Sequence, residues 1–297
     1  MSPMLPYSPT QILCPLDRSE LSNLALKYAV VGARVFNAHL TVLEAINYDY
    51  PRYLSDELTT RVLEELEQYK TSAENDLAVH VRSIIGDALD GISVSYRVLD
   101  LQPAEAISRV VEEVNTDLVV MGTHGYSGFK HWMLGSVTEN MLHMSKVPIF
   151  TVRQKEDDFI DPKAPAAGPD IQNILCSCDM SAASAQALQV AASLARRFEA
   201  GLTAVWNSES NGSDEKEQLQ QWIENTLQGY SPVTCVVKQG KAAAQVIDLA
   251  REIQSDLVVI GARHRSFGDA MVIGRTTELV LRHAPVPVLA VPFFEKH

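Results

Sequence analysis

The sequence is short of cysteine, with 4 in 297 residues, and short of positive charge, with 25 Lys and Arg against 37 Asp and Glu. Cys14, Cys176, Cys178 and Cys235 are too few and too scattered for the disulfide framework of a small secreted domain. Cys176 and Cys178 form a C-x-C pair, with no second pair or nearby histidine to complete a zinc tetrahedron. The net charge of −12 repels phosphate backbones and anionic head groups, which argues against nucleic acid and membrane surfaces as main partners. No apolar run reaches the roughly 18 residues that would suggest a membrane span. The first residues, MSPMLPYSPTQILCPLD, lack a basic stretch followed by a long apolar one. No secretory signal is therefore expected, and the expected location is the cytoplasm.

Two common nucleotide signatures are also missing. No G-x-x-x-x-G-K-[ST] occurs, so a P-loop is excluded. No G-x-G-x-x-G follows the first apolar segment, which excludes the dinucleotide fingerprint. That segment ends in PLDRSE rather than in a Ser-Gly-Gly loop, which disfavours the ATP pyrophosphatases of similar topology.

What the chain does contain is a long internal repeat, to be sought before any other pattern. QILCPLDRSELSNLALKYAV resembles NILCSCDMSAASAQALQVAA, TDLVVMGTHG resembles SDLVVIGARH, and LGSVTENMLHMSKVPIFTV resembles IGRTTELVLRHAPVPVLAV. Asp17 and Asp179 lie 162 positions apart, whereas Gly122 and Gly261, Gly135 and Gly274, and Pro148 and Pro287 each lie 139 apart. The second copy is thus 23 residues shorter, and the surplus falls in a helical segment of the first copy over 55–86. The expected domains are 1–153 and 170–297, joined by an acidic, then Pro/Ala/Gly-rich linker over 154–169.

Each copy alternates short apolar strands with helical periodicity. In the first, strands are expected at 12–16, 40–46, 93–99, 118–121 and 147–152. Helices are expected from a Ser19 cap to Phe36, over the 55–86 segment, over 103–115 from Pro103, and over 137–144. The order implies an α/β fold, doubly wound, with a parallel five-stranded sheet in each copy and helices on both faces. Ligands of such sheets sit beyond the carboxyl ends of the strands, where the strand order reverses.

Gly122, Gly125, Gly135 and Ser136 follow the buried fourth strand with spacing G-x2-G-x9-G-S. A glycine at a strand end permits positive φ or close approach of a ligand. Gly135 and Ser136 open a helix whose free N–H groups and dipole favour an anion. The Ser136 hydroxyl is placed either to bond a phosphate or to cap the helix. Asp17 ends the first strand on the same edge, where its carboxylate can accept from an adenine amine or a ribose hydroxyl, or assist a helix cap.

On these residues the chain resembles a tandem universal stress protein, with the similarity running over nearly the whole sequence outside the linker and the extra segment. The resemblance implies an adenine nucleotide alpha hydrolase-like fold with strand order 3-2-1-4-5, and ATP held by the G-x2-G-x9-G-[ST] loop. Carried over by motif, Asp17 and Ala45 would line the adenine pocket, with Met121 against the nucleotide. Gly122, Gly125, Gly135, Ser136 and Val137 would hold the phosphates. Whether Mg2+ accompanies the ATP is left open. The resemblance also implies pairing of the two halves through their last strands, with association into homodimers left open.

The second copy departs from this pattern. Asp179, Gly261 and Gly274 remain, but His264 stands where the first copy has Gly125, and Arg275 where it has Ser136. Three readings stay open: a basic pocket for another anion around Arg263, His264, Arg265 and Arg275, a decayed site in a domain serving as a pairing partner, or ATP bound with altered phosphate contacts. His124 and His131 have no nucleophile or carboxylate placed to form a triad, and Glu64, Glu65 and Glu67 read as a solvated helix face. The expected function is an ATP-binding regulator of the stress response. The alternatives are a slow ATPase and a non-nucleotide scaffold or small-ligand adaptor.

Overall fold

The structure is a computed structural model, and it describes residues 6–46, 56–123, 134–153, 169–208, 214–228, 232–267 and 270–294. The 154–168 linker stretch, Gly125, His124, Phe129, His131 and Trp132 lie outside the described residues, as do the side chains of Glu64, Glu65 and Glu67.

The first half runs β1 (Gln11–Pro15), α1 (Glu20–Phe36), β2 (His39–Ile46), α2 (Asp56–Ile85), β3 (Val94–Asp100), α3 (Pro103–Glu113), β4 (Leu118–Gly122), α4 (Ser136–Met144) and β5 (Ile149–Val152). The second runs β6 (Asn173–Cys178), α5 (Ala182–Phe198), β7 (Gly201–Ser208), α6 (Glu215–Leu227), β8 (Val233–Gln239), α7 (Ala242–Glu252), β9 (Leu257–Phe267), β10 (Ala270–Ile273), α8 (Arg275–His283) and β11 (Val288–Phe294). Most of the length difference lies in one helix, since α2 has 30 residues and its counterpart α6 has 13.

Local chemistry accounts for these elements. Ser19 caps α1 by accepting from the Ser22 N–H, and Ser181 does the same for α5 through Ser184. Both helices end on a residue in the left-handed region, Asn37 and Glu199. At the amino ends of the strands, the Asp117 carboxylate accepts from the Thr10 and Gln11 N–H groups at 2.9 and 3.0 Å. Asp256 accepts from Gln172 and Asn173 at 2.8 and 2.9 Å. The repeated T/S-D-L-V-V segment therefore carries a structural clamp between β1 and β4, and between β6 and β9, on the edge away from the helix-capping residues.

Strands run in the order β3-β2-β1-β4-β5-β11-β9-β6-β7-β8, so each half reads 3-2-1-4-5 from its outer edge to the middle. Within each half that path is parallel. At the middle, β5 and β11 pair antiparallel, with Val288, Leu289 and Ala290 opposite Thr151, Phe150 and Ile149. The two expected five-stranded sheets are thus continuous, and two apolar cores flank one sheet, each drawing side chains from both halves. Further contacts join the halves. The Tyr7 N–H donates to Ser193 Oγ at 2.7 Å, Arg197 donates to the Val35 carbonyl, and the Phe36 and Phe198 rings meet edge to face at 6.3 Å.

The second half also differs from expectation after its fourth strand. The segment read as a loop from Gly261 is strand through Phe267, and β10 folds back on it as an antiparallel hairpin. The extension is stabilised because β11 is long enough to pair with it, up to Phe294 opposite His264. This hairpin lies against α4 of the first half.

Candidate functional site

At the carboxyl ends of β1, β2 and β4 the structure holds a cavity of about 330 Å3, within the size range of small-molecule sites. Its lining brings together Asp17, Ala45, Met121, Gly122, Gly135, Ser136 and Val137. All the first-half residues singled out from the sequence therefore meet at one place, except Gly125, which is not among those described.

The parts are positioned differently from one another. Asp17 is exposed, and its Oδ1 accepts from the Ser19 N–H at 3.1 Å and the Ser19 hydroxyl at 2.5 Å. It therefore orients the residue that caps α1, while keeping a place on the cavity wall. Arg18 next to it takes φ 62° and forms a two-pronged ion pair with Glu44, at 2.7 and 2.8 Å. That pairing holds the Arg18 guanidinium above its usual range, with the hydrogen bond to Glu44 as the main cause.

Gly122 corrects a sequence expectation. Its φ is not positive. The room left by its missing side chain is used by α1: a Cβ there would come within 3.1 Å of Leu21 Cβ and 3.2 Å of the Leu21 carbonyl. Gly261 is tighter still, since a Cβ would lie 2.7 Å from the Ala183 carbonyl oxygen of α5. The first glycine of each motif thus lets a helix start press on a strand end. Gly261→Ala is expected to destabilise the fold by about 1–3 kcal/mol, the usual cost of overpacking, and Gly122→Ala by less. Urea denaturation of the two variants checks the order, and equal losses would contradict it.

Gly135 is the N-cap of α4 with φ −65° and ψ 144°, and no side chain caps the helix. Its N–H donates to the Thr123 carbonyl at 2.7 Å, and its carbonyl accepts from Glu139. Ser136, the first helical residue, is exposed on the cavity, so it serves as a wall residue and not as the cap. Among the described residues no side chain caps the first turn of α4.

Among the wall residues that the sequence did not single out, Thr138 has a distinct role. Thr138 Oγ1 donates to the Gly122 carbonyl at 2.9 Å, and Thr277 repeats the bond to Gly261 at 3.0 Å. It ties the first turn of α4 to the end of β4 and so fixes the first-turn amides relative to the sheet. The signal was present: both copies carry T-E after the G-S or G-R pair.

The second half forms a larger cavity of about 630 Å3 at the matching strand ends. Asp179, Gly261, Gly274 and Arg275 line it, and Asp179 accepts from Ser181 as Asp17 does from Ser19. His264 lies on β9 with its backbone paired to β10 and β11, and its side chain is outside the described part. Cys178 also lines this cavity, and a hydrogen bond involving Cys176, followed by burial, holds its thiol well above the usual range. Among the described residues no cluster of three or more potential metal ligands occurs, and no helix is long and apolar enough to cross a membrane.

The sequence pattern of the Universal stress protein family matches residues 9–153 and again 170–292. Universal stress protein Rv2623 of Mycobacterium tuberculosis is 26% identical over 301 residues, covering 94% of this chain and 95% of its own. A crystal structure of a universal stress protein from Archaeoglobus fulgidus superposes with a TM-score of 0.68 at 24% identity, covering 95% of this chain and 98% of that one. A universal stress protein solved in complex with cAMP matches 50% of this chain and 99% of its own, at 20% identity and a TM-score of 0.36. The chain belongs to the universal stress protein family and carries the family's domain twice.

Proposed function

We propose that this protein is an ATP-binding regulator of the stress response, with the nucleotide held in the first half. The observation that carries this reading is the cavity where Asp17, Ala45, Met121, Gly135 and Ser136 converge on an uncapped helix start. Its chemistry divides in two. The floor of Leu43, Ala45, Ile107 and Met121 is apolar and suits the face of a purine. The Gly135–Val137 end offers backbone N–H groups and the positive end of α4 to a polyphosphate. Arg18 is engaged by Glu44, so among the described residues the grip rests mainly on amides rather than on a cation.

This arrangement holds a nucleotide without an evident device for cleaving it. The described wall supplies no paired carboxylates for a catalytic metal and no lysine at the helix start. Binding would therefore act by setting the conformation of the α4 region, where the β9–β10 hairpin of the other half packs. In this reading the second half is the built-in pairing partner, through β11 on β5. The protein acts in the cytoplasm, and one chain supplies the pair of domains.

The test is mass spectrometry of nucleotide released from purified, denatured protein, together with ATP titration with and without Mg2+. The expected outcome is one adenine nucleotide per chain. Two per chain would defeat the assignment to the first half, and no binding in either measurement would defeat the nucleotide reading altogether.

A further inference from the structure

A further cavity, of about 80 Å3, lies apart from the two at the strand ends. It sits between the halves, in the core on the face of the sheet that carries α1 and α5. Leu43 and Met121, which line the first strand-end cavity, belong to the core on the opposite face. Tyr28, Gly32 and Phe36 of α1 line the further cavity from one side, and Leu194 and Phe198 of α5 from the other. Phe150 of β5 and Leu289 of β11, register partners across the seam, also line it.

Gly32 keeps this space open. It lies inside α1, where glycine weakens a helix. The backbone does not require it, because its φ is not positive. Close packing does not require it either. Among the described residues, a Cβ at Gly32 would meet only Ile12 Cδ1, at 3.5 Å, an ordinary van der Waals contact. Gly122 and Gly261 differ, since neighbouring helices use the room that their missing side chains leave. The second half carries Leu194 at the place equivalent to Gly32, 162 positions on, and Leu194 is buried. A leucine therefore fills one side of the seam, while a glycine leaves the other side empty.

The lining suits an apolar occupant better than water. Tyr7, Tyr28 and Asp256 are its only residues with polar side-chain atoms. The Asp256 carboxylate already accepts from the Gln172 and Asn173 N–H groups. An ordered water needs two to four polar partners, whereas dry apolar cavities take molecules such as benzene. Two ring pairs border the space, Tyr28 with Phe150 at 5.5 Å between centroids and Phe36 with Phe198 at 6.3 Å. Rings so placed offer faces and edges to a further ring. We propose that the seam between α1 and α5 is a binding site for a small apolar molecule of single-ring size, held by both halves at once. Such a ligand favours the paired arrangement of the halves by mass action. This inference does not depend on what the strand-end cavities bind.

The experiment titrates the full chain with benzene, and with naphthalene as a larger probe, by calorimetry and by thermal unfolding. Benzene is expected to bind at one per chain and to raise the unfolding temperature, with naphthalene at least tenfold weaker. Gly32→Leu, which copies the residue of the second half, should weaken benzene binding at least tenfold, and Gly32→Ala should weaken it less. Leu194→Ala widens the opposite wall and should bring naphthalene to within tenfold of benzene. Cooperative thermal unfolding of each variant shows that it is folded. The proposal is overturned if benzene does not bind, if Gly32→Leu binds it as tightly as the unaltered chain, or if Leu194→Ala leaves the preference between the two probes unchanged.

Discussion

Gly135→Val is expected to weaken ATP binding by roughly 100-fold or more, because at least two charge-assisted hydrogen bonds of about 1.5–3 kcal/mol each would be lost. The backbone at Gly135, φ −65° and ψ 144°, is open to any residue, so the substitution does not strain the chain. In the proposed reading, a branched side chain at this cap position would crowd the first-turn amides of α4 that take the phosphate. The bond from Gly135 N–H to Thr123 and that from Glu139 to Gly135 use only backbone atoms and survive the change. Gly274→Val places the same side chain at the start of α8, where the nearest atom to a Cβ is Thr277 Oγ1 at 3.9 Å. That variant should leave ATP affinity within about twofold, a difference of roughly 0.4 kcal/mol. Calorimetry on the two variants decides the matter, since equal losses would mean that both halves hold ATP.

A second large effect is expected in stability. Ile149→Ala should destabilise the protein by about 2–5 kcal/mol, the range for truncating a fully buried isoleucine. Ile149 is 2% exposed and lies on β5 between Val119 of β4 and Ala290 of β11. The cavity left behind would open in the core that both halves share, the one that also holds Met121 and Met141. The seam cannot easily collapse around it, because β5 is held on both edges by backbone hydrogen bonds. Chemical denaturation followed by circular dichroism measures the loss. A change under about 1 kcal/mol would show that the seam is more plastic than close packing implies.

Both predictions rest on features of different legibility. The loop of Gly122, Gly135 and Ser136 could be read as one site because ligand chemistry at a strand end and helix start is a local property, written in neighbouring residues. Asp17 was placed on the same edge by its position at a strand end, and Ala45 came to the cavity through the strand order that the resemblance implied. Thr138 was missed because its hydroxyl works on the Gly122 carbonyl, 16 positions back, and a lone threonine in a first helical turn has no distinctive pattern. The role of Gly122 was misjudged for a related reason. Its lack of a side chain is spent on Leu21, and that contact exists only when α1 lies across β4.

What the sequence alone determined is most of the strands and helices, their duplication and the Ser19 cap. All of these follow from periodicities of two and 3.6 and from side chains reaching their own backbone a few residues away. The tertiary structure decided what depends on distant surfaces meeting. It joined the halves where β5 and β11 present free edges to each other, and extended β9 along a long β11 into a hairpin that reaches α4. It also left a cavity beside Gly32, which sequence cannot show because the space around a glycine is set by packing and not by its neighbours in the chain.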